Sequence, residues 1–119
     1  MEPQYVFYLI IFLGMLLVFV ADSIGNKLSF SNWIANALTT AIVWGLLFIG
    51  LYFVLDLIEI QLAGSLDGLF KLALTGAGIV FIADMIGNSI AFSNRFVNAL
   101  VTAIVWGGIF MGLNVIGFI

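Results

Sequence analysis

Val18-Phe-Val-Ala-Asp-Ser-Ile-Gly-Asn-Lys-Leu-Ser-Phe-Ser-Asn-Trp-Ile-Ala-Asn-Ala-Leu38 returns 62 residues later as Val80-Phe-Ile-Ala-Asp-Met-Ile-Gly-Asn-Ser-Ile-Ala-Phe-Ser-Asn-Arg-Phe-Val-Asn-Ala-Leu100. The match runs on through Thr40-Ala-Ile-Val-Trp-Gly45 and Thr102-Ala-Ile-Val-Trp-Gly107, and closes near Leu51 and Leu113. Of the 34 positions from 18 to 51, 22 are identical at this fixed offset. Self-similarity of this length marks a tandem duplication.

Each copy places one polar segment between two apolar runs. The first copy has Tyr5–Ala21 and Trp33–Leu55, and the second has Leu69–Ala83 and Phe96–Ile119. A bilayer core of about 30 Å needs about 20 helical residues. The second run of each copy meets that length. The first runs meet it with Gln4 and Asp22, or Lys71 and Asp84, at the headgroups, Lys71 snorkelling outward. The runs lack the period-two alternation of a membrane barrel. The expected fold is therefore an all-α integral membrane protein with four transmembrane helices. It would be built as two tandem hairpins, 1–58 and 69–119, around an interfacial linker, 59–68.

Composition agrees. The 119 residues are 65% apolar and 8% charged, with a mean hydropathy of +1.32. Ordinary soluble domains are about 25% charged, so a water-facing shell cannot be assembled from this chain. His and Cys are absent, which removes imidazole and thiol chemistry along with His/Cys metal sites. Three Lys and Arg against six Asp and Glu speak against nucleic acid as a partner. They speak equally against a polybasic lipid anchor. The start, Met1-Glu2-Pro3-Gln4, has no basic region of a cleaved signal, and neither end carries a lipidation motif. The close at Ile119 predicts no soluble tail.

Because each copy crosses an even number of times, both hairpins insert in the same orientation, related by an axis along the membrane normal. Lys27 and Arg95 in the intra-hairpin turns outnumber Lys71 on the other side. The positive-inside rule then puts the termini on the non-cytoplasmic side.

The polar segments Asp22–Asn32 and Asp84–Asn94 are expected to form these turns. Gly25 and Gly87 would end the first helices, and Ser31 and Ser93 would cap the second. In the linker, Gly64 would end helix 2 and Ser65 would cap helix 3. Asp22 and Asn26, like Asp84 and Asn88, are spaced i, i+4. They close the hairpin, form a carboxylate ring that attracts cations or relays protons, or contact lipid headgroups.

Two ridges follow on the second helix of each copy. Ala37, Ala41 and Gly45, repeated as Ala99, Ala103 and Gly107, form a small-xxx-small ladder suited to close helix packing, with Gly108 and Gly112 added in the second copy alone. Beside it run Asn32, Asn36 and Thr40, with Trp44 next, repeated as Asn94, Asn98, Thr102 and Trp106. This stripe offers interhelical hydrogen bonds or a polar pathway. Trp44 and Trp106 fall mid-helix, away from the interfacial belt, which suits packing.

No nucleophile–base pair is readable, no catalytic residue stands out and no cofactor motif is present, so a non-enzymatic role is expected. The first expectation is an oligomerising assembly protein, either an accessory subunit of a membrane complex or a lipid-associated coat- or pilin-like subunit. Its partners would be the lipid bilayer and further copies or other subunits. The alternative is a small oligomeric channel or transporter that uses the Asp/Asn/Thr set.

Overall fold

A computed structural model describes residues 3–29 and 32–118. It contains four α-helices: α1 Pro3–Ser29, α2 Trp33–Asp56, α3 Leu66–Ala91 and α4 Arg95–Val115. Each is long and apolar enough to cross a membrane. The helices close into a ring, with α1 against α2, α2 against α3, α3 against α4, and α4 back against α1.

The bundle is apolar outside as well as in its core, with a set of polar side chains buried within it. Phe12, Leu16, Leu38, Ile42, Leu46, Phe70, Leu74 and Ile104 face outward. Inside lie Asp22, Asn26, Asn36, Thr40, Asp84, Asn88, Asn98 and Thr102, all buried. A helix surface apolar enough to meet lipid has no need of polar cover, whereas polar groups must find partners inside the bundle.

The expected turn at Asp22–Asn32 is corrected. α1 continues to Ser29 and α3 to Ala91, so Asp22, Gly25 and Asn26, and likewise Asp84, Gly87 and Asn88, are helical. The polar residues do not break the helix because each finds a partner on the next one. Neither glycine terminates a helix. The caps differ too: Asn32 Oδ1 accepts from the backbone N–H of Ile34 and Ala35 at 2.9 and 3.0 Å, and Asn94 Oδ1 accepts from Val97 at 3.1 Å. Asn at this position satisfies first-turn donors as well as Ser does. Ser93 is therefore not the cap, and Ser31 lies outside the described residues. Asn32 and Asn94, expected on the polar stripe, are instead exposed capping residues.

In the linker, α2 stops at Asp56, well before Gly64. The chain reverses at Glu59, which adopts a left-handed φ of 64°, and Leu62 tucks into the core at 4% exposure. Ser65 does cap α3, accepting from Gly68 N at 3.0 Å.

The small-residue ladder faces α3 from α2 and α1 from α4. Ala37, Ala41, Ala99, Ala103 and Gly107 are buried. A Cβ at Gly45 would lie 3.9 Å from Ala77 of α3, and one at Gly107 would press on Met15 of α1. Gly108 and Gly112 face outward, with nothing within 4 Å of an added Cβ.

Candidate functional site

The buried polar side chains form two matched sets at the end of the bundle where α1 meets α2 and α3 meets α4. Asn36 and Thr40 lie one turn apart on α2, and Asn26 and Asp22 lie one turn apart on the antiparallel α1, so the pairs meet rung by rung. Asn36 Nδ2 donates to Asn26 Oδ1 at 2.8 Å, and Thr40 Oγ1 donates to Asp22 Oδ1 at 2.9 Å. The second hairpin repeats both rungs: Asn98 Nδ2 to Asn88 Oδ1 at 2.7 Å, and Thr102 Oγ1 to Asp84 Oδ1 at 2.8 Å. The Thr102 hydroxyl also lies 2.9 Å from the Asn98 carbonyl oxygen.

Gly25 and Gly87 make the carboxylate rungs possible. A Cβ on Gly25 would come within 2.5 Å of Thr40 Oγ1, and one on Gly87 would strike Thr102 Oγ1. Close approach of the backbones, not helix termination, is what these glycines supply.

Two further bonds join α1 to α4 and α3 to α2. Asn26 Nδ2 donates to the Arg95 carbonyl oxygen and Asn88 Nδ2 to the Trp33 carbonyl oxygen, each at 3.1 Å. Those carbonyls open the first turns of α4 and α2. Each asparagine of a first helix therefore reads both its own second helix and the other hairpin's.

At the centre, Asp22 and Asp84 face each other across the bundle, and each also comes within reach of both Thr40 and Thr102. The remaining carboxylate oxygens, Asp22 Oδ2 and Asp84 Oδ2, have no amide or hydroxyl donor and only the opposite carboxyl within hydrogen-bond reach, while Asn36 Oδ1 and Asn98 Oδ1 have no donor. Among the described residues no three His, Cys, Asp or Glu side chains gather. Any ion held here must use Asn and Thr oxygens beside the two carboxylates.

Beyond the carboxylates the interior turns aromatic. Trp44 and Trp106 meet with ring centroids 5.5 Å apart, stacked at 4.9 Å on Phe48 and Phe110 respectively. Trp44 Nε1 donates to the Gly14 carbonyl oxygen and Trp106 Nε1 to that of Gly76, both at 3.1 Å. The spacing of the stripe did not reveal these acceptors. Gly14 and Gly76 themselves stand 62 residues apart, so carrying the repeat alignment upstream of Val18 exposes the pair.

The structure thus brings together Asp22, Asn26, Asn36 and Thr40 with Asp84, Asn88, Asn98 and Thr102, and leaves Asn32 and Asn94 outside. Comparison with protein-family models, with curated proteins and with solved structures found no match.

Proposed function

We propose that this chain spans a bilayer as two hairpins of the same orientation and moves a small cation, protons included, through its polar interior. Lys27 and Arg95 would mark the cytoplasmic side and the termini the opposite one. The observation that carries this reading is the pair Asp22 and Asp84. They come one from each repeat, are 0% exposed, and lie within hydrogen-bond reach of each other. Ionisable groups inside a membrane bundle are costly, and where they occur they commonly mark ion paths. A bundle built for packing alone would gain from apolar side chains at these positions. The Trp44–Trp106 contact closes the far half of the interior, so passage requires these rings to move.

The test is flux across vesicles containing the purified chain. Imposed gradients of H⁺, Na⁺, K⁺ and Ca²⁺ should dissipate faster than in protein-free vesicles for at least one ion, and Asp22→Asn with Asp84→Asn should abolish the difference. Background rates for all four ions would overturn the proposal.

A second reading, an assembly subunit that associates laterally with further copies or with other membrane proteins, draws on Gly108 and Gly112. These are the part of the small-residue ladder left on the outside, where another helix could approach closely. Cross-linking of single-cysteine variants at these two positions in a bilayer would test it.

A further inference from the structure

Asp22 of α1 and Asp84 of α3 meet across the middle of the ring, with their carboxyl groups within hydrogen-bond reach of one another. Both side chains are 0% exposed. One oxygen of each accepts from a hydroxyl, Asp22 Oδ1 from Thr40 and Asp84 Oδ1 from Thr102. The other oxygens, Asp22 Oδ2 and Asp84 Oδ2, receive no amide or hydroxyl hydrogen from the described residues. An ionised carboxylate only accepts hydrogen bonds, whereas a protonated one also donates. Two such acceptors brought together repel unless a hydrogen stands between them. The hydrogen this arrangement can supply is a carboxyl proton.

Charge points the same way. The other charged groups described on the four helices are Lys27 on α1, Asp56 on α2, Asp67 and Lys71 on α3, and Arg95 on α4, and all of these side chains are exposed. Lys71 pairs with Asp67. Tyr5, Tyr8 and Tyr52 belong to the opposite ends of α1 and α2. The charge facing each aspartate is thus the other aspartate. Two like charges side by side away from water oppose each other strongly, and one proton both removes a charge and supplies the missing hydrogen.

We propose that Asp22 and Asp84 hold a single proton between them as an acid–carboxylate pair, and that this pair is the proton-binding site through which the chain moves H⁺. The inference rests on the cation-moving function above and names the ion. A metal ion would have to break the carboxyl–carboxyl hydrogen bond to enter, whereas a proton makes it. The duplication renders the partners equivalent: each aspartate comes within reach of both Thr40 and Thr102, so the hydroxyls support the negative charge on whichever carboxyl carries it. Transfer within the pair breaks the O–H bond of one carboxyl and forms that of the other, leaving one proton and one negative charge. Passage adds a second proton from one side, which neutralises the pair, and releases one to the other side, which restores it. The two protons then belong to the pair and not to either residue.

The test is infrared spectroscopy of the full chain in lipid nanodiscs, with its aspartates ¹³C-labelled at the side-chain carboxyl. At neutral pH the wild type should show one protonated aspartate per chain, as a C=O stretch that moves with the label and in D₂O. Asp22→Asn and Asp84→Asn, each made alone, should both lose that band, because the amide hydrogen takes the place of the proton. A protonated aspartate independent of its neighbour would persist in one of the two variants, and its persistence would overturn the sharing. Circular dichroism and size-exclusion profiles matching wild type establish that the variants fold. If they do not fold, the wild-type spectrum decides, since two ionised aspartates give no such band and that result would overturn the pair. Vesicle flux separates the remaining arms. H⁺ flux without a protonated carboxyl discards the shared proton and leaves cation movement standing. A shared proton with no flux of any ion keeps the pair and discards transport, and flux of Na⁺, K⁺ or Ca²⁺ with none of H⁺ overturns the choice of ion.

Discussion

Trp44 donates its indole hydrogen to the carbonyl oxygen of Gly14, 3.1 Å away on the partner helix of its own hairpin. Its ring edge meanwhile fills the space a Cβ on Gly76 of α3 would need. Trp106 repeats both contacts, with the Gly76 carbonyl as acceptor and Gly14 as the surface beneath its ring. One glycine thus serves each hairpin twice, as acceptor for one indole and as a floor for the other.

Gly76→Ala should therefore destabilise the chain, since its methyl group would displace the Trp44 ring and with it the Trp44–Trp106 contact. Overpacking of this kind amounts to about 1–3 kcal/mol. Gly78→Ala, two residues on and with open space at the Cβ position, should be neutral or slightly stabilising, because alanine favours helix over glycine by about 1 kcal/mol. Thermal melts of both variants in one detergent check the contrast. Equal melting temperatures would show that the ring does not rest on Gly76.

Much of this arrangement can be read from the residues before any coordinates. The duplication, the number of long apolar helices and the pairing of Asp, Asn and Thr at repeated positions follow from the offset and from helical spacing. Asp22 and Gly25 read as a turn because, in water, Asp-Ser-Ile-Gly-Asn favours one. Local propensity favours that outcome, and only the partner helix supplies the Thr40 hydroxyl that makes a buried Asp22 acceptable. The ladder's direction was illegible for a related reason. Small residues at i, i+4 state that a helix approaches, not whether it belongs to the same chain. The facing of Asp22 and Asp84 depends on how the two hairpins dock, which no local pattern encodes.

Replacing Asp84 by Asn should stabilise the fold while impairing function. In Asp84→Asn the new amide can still accept from Thr102 through its oxygen and can donate to Asp22, so the coulombic opposition of two buried acids becomes a hydrogen bond. Such a bond is worth about 1–3 kcal/mol. Asp84→Leu removes the Thr102 partner and offers no donor, so it should melt below Asp84→Asn. The check is the melting order Asp84→Asn, wild type, Asp84→Leu in ion-free buffer, with cation flux lost in both variants.

The open groove between α2 and α3 has a volume of about 590 Å³, against about 390 Å³ between α4 and α1. The repeat explains the difference: Ala77 and Gly78 line the first where Met15 and Leu16 line the second. Ala77→Met should restore the contact that Met15 makes with Gly107, now against Gly45. In the proposed bilayer setting the side chain would exchange lipid contact for protein contact, so the gain is dispersion alone, below about 1 kcal/mol. A small rise in melting temperature is expected, and a fall would mean that the groove is already filled by neighbouring side chains in the bilayer.

Asn26 and Asn88 should be the side chains on which docking of the hairpins most depends. Each donates outside its own hairpin, to Arg95 O and Trp33 O, while accepting from Asn36 or Asn98 inside it. Asn26→Leu therefore strands the Asn36 amide hydrogen and also removes the bond that ties α1 to the first turn of α4 at the Arg95 carbonyl. Asn36→Leu, by contrast, strands only Asn26 Oδ1, because Asn36 Oδ1 has no donor to lose. Interhelical hydrogen bonds in membranes contribute about 0.6–2 kcal/mol each, which places Asn26→Leu below Asn36→Leu in stability by about that amount. Melts in detergent give the order, and hydrogen exchange at the first turn of α4 gives the location. Amides near Arg95 should exchange faster in Asn26→Leu and remain protected in Asn36→Leu. Equal protection in the two variants would mean that the bond from Asn26 to Arg95 does not hold the hairpins in register.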